Sequence, residues 1–246
     1  MRRIMGWGAA LALCLAGGAA AQTVQAARLA APTDRYPHGI LGSIKPQGEL
    51  VADLADCGGC AIGIRLPQTL VFEDFAPRLV DLDGDGRPEI VVVESDLQKG
   101  SRLAVWTVRR VDGAPRLARR AATAFLGTRF RWLAPVGAAD LDGDGRMEIA
   151  YVEKPHLEPV LRILRLEGDR LVPVAAVRGV SNHAIGQEQV ASRIERCPNG
   201  PRILAFGADG RRAVSVRLGP EGARIADLGP VAAPWRLPPA PSCDAG

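Results

Sequence analysis

Asp81-Leu82-Asp83-Gly84-Asp85-Gly86-Arg87-Pro88-Glu89 returns 59 residues later as Asp140-Leu141-Asp142-Gly143-Asp144-Gly145-Arg146-Met147-Glu148. Each copy runs straight into a β-prone apolar stretch, Ile90-Val91-Val92-Val93 in one and Ile149-Ala150-Tyr151-Val152 in the other. Carboxylates at alternate positions of a glycine-bearing loop converge on one hard cation, and without it they repel at close range. The pairing predicts two bound calcium ions on a repeated β-structure. A helix-flanked calcium loop is excluded, because its twelfth position requires a bidentate Glu and here holds Val92 or Tyr151.

The similarity extends outward. Ala76-Pro77 and Ala134-Pro135 precede the two loops, and Val93-Glu94 and Val152-Glu153 follow them. Strand-like segments continue over Leu103 to Arg109 and Arg116 to Ala122, then over Val160 to Leu166 and Leu171 to Ala176, punctuated by Asp112-Gly113 and Gly168-Asp169. Four strands at this period match a propeller blade better than a helical repeat. A worn third copy places Glu195, Cys197 and Asn199 where the aspartates stand, ahead of Ile203-Leu204-Ala205-Phe206, and an N-terminal unit, Gly39 to Phe72, has strands without an acidic loop. The expected fold is all-β: a propeller of about four to five blades over residues 36–237, in units of 36–75, 76–133, 134–189 and 190–236.

On these loops and their β context the chain resembles the FG-GAP/VCBS repeat family, the blade repeats of integrin-α-like β-propellers, most strongly over residues 76–153. The resemblance implies that Asp81, Asp83 and Asp85, and Asp140, Asp142 and Asp144, are side-chain ligands of calcium, with the carbonyls of Arg87 and Arg146 at the seventh loop position. The family's ninth-position Asp is replaced by Glu89 and Glu148. The family's Phe-Gly…Gly-Ala-Pro signature is not evident.

Composition points to export. Arg2-Arg3, an apolar run from Ile4 to Ala16 and Ala19-Ala20-Ala21 before Gln22 read as a signal peptide over residues 1–21. A lipoprotein reading through Cys14 has Leu13 where a small residue belongs. Residues 22–35 read as a linker and 238–246 as a tail tethered through Cys243. Removing residues 1–21 takes two of 31 basic and none of 27 acidic residues, leaving +2 (29 − 27). With scattered arginines and no basic stripe, a nucleic-acid partner is not expected, and no later stretch is apolar enough for a membrane span.

Cys57, Cys60, Cys197 and Cys243 form an even set suited to an oxidising, periplasmic or extracellular compartment. Three connectivities exist in principle. Cys57-Gly58-Gly59-Cys60 lies between strand-like runs and reads as a two-residue hairpin turn, which favours a Cys57–Cys60 and a Cys197–Cys243 bridge. A redox Cys-x-x-C wants a helix after it, whereas Ala61 to Leu66 alternates as a strand. A zinc site lacks its second half.

Neither a nucleophile elbow, a zinc-protease motif, a P-loop nor a dinucleotide fingerprint occurs, so no catalytic residue is assigned. Segments preceding the inner strands, Arg35 to His38, Glu73 to Phe75, Arg129 to Trp132 and Asn182-His183, should share one rim. His38, Arg129, Arg131, Trp132, Asn182 and His183 are the candidate binding residues, and an unidentified protein or glycan is the expected partner. Packing of Phe130 and Trp132 between blades is the competing reading. The functional expectation is a non-catalytic secreted binding module; a hydrolase or lyase using the same rim is the alternative.

Overall fold

The computed structural model describes residues 22–237, 239 and 243; residues 1–21, read from the sequence as a signal peptide, lie outside them. Among the described residues every regular element is a strand except a three-residue 3-10 turn at Ala55–Cys57. The first sheet holds β1 (Val24–Pro32), β2 (Gln47–Leu54), β3 (Ala61–Arg65), β4 (Leu70–Phe72), β5 (Arg78–Val80), β6 (Glu89–Asp96), β7 (Gly100–Val111) and β8 (Ala114–Ala122). A second is built from β9 (Leu133–Ala139), β10 (Glu148–Glu153), β11 (Val160–Glu167) and β12 (Arg170–Arg178). The third holds β13 (Val180–Ser181), β14 (Arg193–Glu195), β15 (Arg202–Gly207), β16 (Arg212–Gly219) and β17 (Gly222–Pro230). All pairings among the described residues are antiparallel, mostly between consecutive strands, with β2–β4, β4–β6 and β13–β15 each skipping one.

The apolar runs behind the acidic loops become strands buried on both faces, which explains why they lack polar alternation. On β6, Val91 and Val93 pack with Ile149, Tyr151 and Leu164 of the second sheet. The opposite face, Ile90 and Val92, meets Leu50, Ala52 and Leu54, because the first sheet curls over itself. Ala150 and Val152 of β10 likewise pack with Ile203 and Ala205 of β15. The layers thus stack in series, each buried strand cementing two neighbours.

An inner strand precedes each of β6, β10 and β15, and each is interrupted midway. β4 and β5 share β6, with residues 73–77 looped out; β13 and β14 share β15, with residues 182–192 looped out; β9 has only a bulge opposite Ala150 and Tyr151. The equivalent end pairs are Val80↔Glu89, Ala139↔Glu148 and Glu195↔Arg202.

That register corrects the third copy. Glu195 matches Val80 and Ala139, not the first aspartate, and the turn from β14 to β15 spans residues 196–201 against eight residues in each acidic loop. Arg202 stands where Glu89 and Glu148 do, fully buried and bonded through Nε to Glu195 (3.0 Å). Two further expectations are revised. The 22–35 linker is mostly β1, whose alanine-rich sequence carries little β-propensity and is recruited by pairing with β2. The Cys57–Cys60 segment is not a two-residue turn, since residues 55–60 connect β2 to β3, closed by the Leu54 N–H to Cys60 carbonyl bond (3.0 Å). Disulfides join Cys57 to Cys60 and Cys197 to Cys243, each with 5.6 Å between Cα atoms.

Residues 33–46, between β1 and β2, form a strap across one end of the stack. Tyr36, Ile40 and Leu41 are buried, Tyr36 Oη accepts the Phe130 N–H (2.9 Å), and the Ser43 N–H donates to Glu188 (3.2 Å).

Candidate functional site

The acidic loops lie at the turns from β5 to β6 and from β9 to β10. In the first, Asp81 Oδ1 accepts the N–H of Gly84 (2.9 Å) and Oδ2 that of Gly86 (2.9 Å); in the second, Asp140 does the same for Gly143 (2.8 Å) and Gly145 (3.0 Å). The four glycines have φ between 75° and 86°, the left-handed region that lets the chain wrap a carboxylate. Carboxylate oxygens of Asp81, Asp83 and Asp85 lie within 4.8 Å of one another, as do those of Asp140, Asp142 and Glu148. Asp144 is not part of the second group, and Arg146 Nη2 lies 2.9 Å from its carboxylate. Asp85 is likewise held by Arg87 Nε (2.9 Å), which lowers its carboxyl below the usual range. The Arg146 contact does the same for Asp144.

The ninth-position glutamates sit beneath the loops. Glu89 Oε2 accepts the Leu82 N–H (3.0 Å) and Glu148 Oε2 that of Leu141 (2.8 Å). Burial pushes both carboxyls up. Each loop also has an internal cation that its spacing did not reveal. Arg120 of β8 bonds Asp83 and Glu89 through Nη1, 2.6 Å from each. Arg165 of β11 touches Asp142 (3.0 Å), Asp144 (3.1 Å) and Glu148. Two guanidiniums reaching the same place from different strands mark it as a seat for positive charge. The donors are all oxygen, which suits a hard divalent ion and not a soft one.

The rim segments converge at the strap end. His38 stacks on Phe130 with 4.9 Å between ring centroids, and its Nδ1 lies 2.7 Å from the buried Glu73 carboxylate. The Trp132 Nε1–H donates to the Glu73 carbonyl (2.9 Å), and Asn182 Nδ2 reaches the Ala134 carbonyl (3.3 Å) and Ser192 (3.1 Å). His183 Nε2 contacts the Gln187 carbonyl (3.0 Å) and its Nδ1 contacts His156 Nε2 (2.9 Å). A carbonyl only accepts, so His183 carries its proton on Nε2 and His156 donates from Nε2, leaving His156 Nδ1 as a free acceptor. Trp132, Asn182 and His183 are therefore buried supports, while His38 and Arg131 are partly open and Arg129 is exposed over the Phe130 ring. Glu73 and His156 complete the constellation; in the sequence Glu73 is one member of a rim segment, and no spacing singles out His156.

Two consequences are measurable. Burial, with His183 and His38 nearby, pushes His156 down to about 4, and burial lowers His183 as well. A depressed folded-state value favours the neutral ring, so this stability is present above pH 6.5 and lost as pH falls towards 4. The size of the loss follows the difference between the folded and unfolded values of His156, reduced by its partial exposure. Urea titrations at pH 7 and pH 4 should show that loss, reduced in His156→Gln; equal losses in both proteins would refute it. Gly100 (φ 72°) lies under the same rim, where an added Cβ would stand 2.3 Å from the Thr128 carbonyl oxygen. Gly100→Ala should cost about 3 kcal/mol in urea unfolding, with a loss below about 0.5 kcal/mol counting against the close approach.

A comparison with curated proteins finds no match to the chain. Residues 81–151, which open on the first acidic loop and end in β10 just past the second, match the FG-GAP-like repeat family.

Proposed function

We propose that the chain is an exported β-propeller, stabilised by two calcium ions, that acts as a non-catalytic binding module for a protein or glycan partner. Residues 1–21 are its signal peptide, the propeller of four to five blades occupies most of the remainder, and residues 238–246 are a tail tethered at Cys243. The observation that carries this reading is the repetition of one oxygen-rich loop at the same turn of two stacked units, within the stretch that matches the FG-GAP-like repeat. Asp81, Asp83, Asp85 and Glu89 would hold one ion with the Arg87 carbonyl; Asp140, Asp142, Asp144 and Glu148 would hold the other with the Arg146 carbonyl. The ions supply charge neutralisation and fix the turns. Two disulfides and the absence, among the described residues, of a helix long and apolar enough to cross a membrane support the exported reading without placing the protein in a compartment.

Calorimetric titration of metal-free protein with calcium should give two ions per chain, with magnesium a poor substitute because it demands tighter octahedral geometry. No binding heat would remove the metal from the proposal. One observation keeps a hydrolytic reading alive: the Glu73–His38 pair orients an imidazole towards an open cleft. The hydroxyls next to that pair, Ser95 and Ser101, bond the Glu73 carboxylate (2.5 and 3.3 Å) but are fully buried, out of reach of a substrate, and this makes binding the preferred reading.

A further inference from the structure

Resting on that binding-module reading, we propose that the cleft beside the strap captures a peptide segment carrying an aliphatic side chain next to a carboxylate, in preference to a glycan. The cleft encloses about 160 Å³ and is lined by His38, Phe130, Arg131, Lys154, Leu157 and Ile185, among others. Four large apolar side chains are exposed among the described residues, all aliphatic, and two of them flank this one cleft: Ile185 at 73% and Leu157 at 57%. Exposed aliphatic groups at a cavity mouth gain by covering apolar surface on a partner.

The lining is cationic. Arg131 has no ion pair among the described residues, Lys154 reaches only Glu153 at 3.7 Å, and no carboxylate lines the wall. Charge complementarity therefore asks for an anion beside the apolar group. Phe130 (φ 60°) and Lys154 (φ 51°) both hold left-handed backbone that side-chain-bearing residues avoid. The Tyr36 hydroxyl fixes Phe130 at its N–H, and the Trp132 carbonyl fixes Lys154 at its N–H (3.0 Å). Such conformations persist only where the surroundings enforce them, and here they aim two consecutive structural layers at one opening.

A glycan platform needs an open aromatic face. None exists here: no aromatic side chain is exposed among the described residues, Trp132 is 2% exposed, and Phe130 is stacked against His38 and Arg129.

The test is selection of a displayed library of random linear peptides against the calcium-loaded protein, with an immobilised glycan array in parallel. Enriched peptides should pair Leu, Ile or Val with a nearby Asp or Glu. The synthetic winner should lose about tenfold or more in affinity towards Leu157→Ser/Ile185→Ser and towards Arg131→Gln, and it should weaken as salt rises. Melting curves matching the parent protein would show that these surface changes leave the fold intact. Winners lacking the aliphatic-acidic pairing, or indifferent to these substitutions, overturn the inference. Glycan binding without peptide binding overturns it too while leaving the binding-module reading standing. Capture of neither probe class removes both.

Discussion

With both acidic loops holding calcium as proposed, stripping the metal should cost about 5 kcal/mol, or about 2.7 kcal/mol for each site held at a hundredfold excess over its dissociation constant. The effect is large because each loop gathers several carboxylates and leans on a buried glutamate. The metal-free protein should nevertheless remain folded, since Arg120 and Arg165 already neutralise part of that charge. The two loops should differ. Arg165 engages three carboxylates of the second loop and Arg120 engages two of the first, so an entering cation meets stronger competition in the second, and the first should fill first. Asp83→Ala and Asp142→Ala should each delete one site. Arg165→Gln should tighten the remaining affinity of the second loop while lowering the melting temperature of the metal-free form. Scanning calorimetry with and without chelator, and calorimetric titration of the variants, read these outcomes directly. Identical melting curves in chelator and in calcium would defeat the metal assignment, and unchanged affinity in Arg165→Gln would defeat the competition.

Replacing Cys197 and Cys243 with serine will cost about 4 kcal/mol by the chain-entropy model, against about 2 kcal/mol for the Cys57–Cys60 pair. The difference is loop length: the partners are separated by 46 positions in one bridge and by 3 in the other. The longer bridge brings the chain's end back to the six-residue turn that replaces the third acidic loop. Arg217 fastens both sides of it, donating from Nη1 to the Gly200 carbonyl (2.8 Å) and from Nη2 to the Cys243 carbonyl (3.0 Å). Where the first two turns have an oxygen cage, the third has a covalent tie. Urea unfolding of the double-serine variant measures the loss, and a shift below about 1 kcal/mol would mean that the tail contributes little to the fold.

The acidic loops and the strands behind them were legible because their causes are local. Alternate carboxylates, positive-φ glycines and β-branched runs are properties of a few consecutive residues. Partners supplied from elsewhere in the chain were not. Arg120 lies 31 positions from Glu89 and Arg165 lies 17 from Glu148, in different strands, so no spacing rule links them to the loops. β1 was misread because its stability is borrowed from β2. The third turn was misaligned because Asn199-Gly200 mimics the loop's ending while strand pairing moves Glu195 out of the first ligand position. For the rim, sequence order gave the meeting place of four segments but not their depth. Trp132 and His183 are held inward by hydrogen bonds to Glu73 and Gln187, which only the packed chain brings together.

The strap has a kinetic meaning as well. Its bonds to Glu73, Phe130 and Glu188 span 35, 94 and 145 positions, whereas the hairpins of each sheet close over short loops. Contacts of such separation carry the largest loop-closure entropy and form late. Local meanders should therefore assemble first, with the strap docking once residue 188 is available and completing the wall of the His38 and Phe130 cleft. Any binding at that cleft would then be withheld from a chain that has not yet reached residue 188, however well its first two sheets have formed.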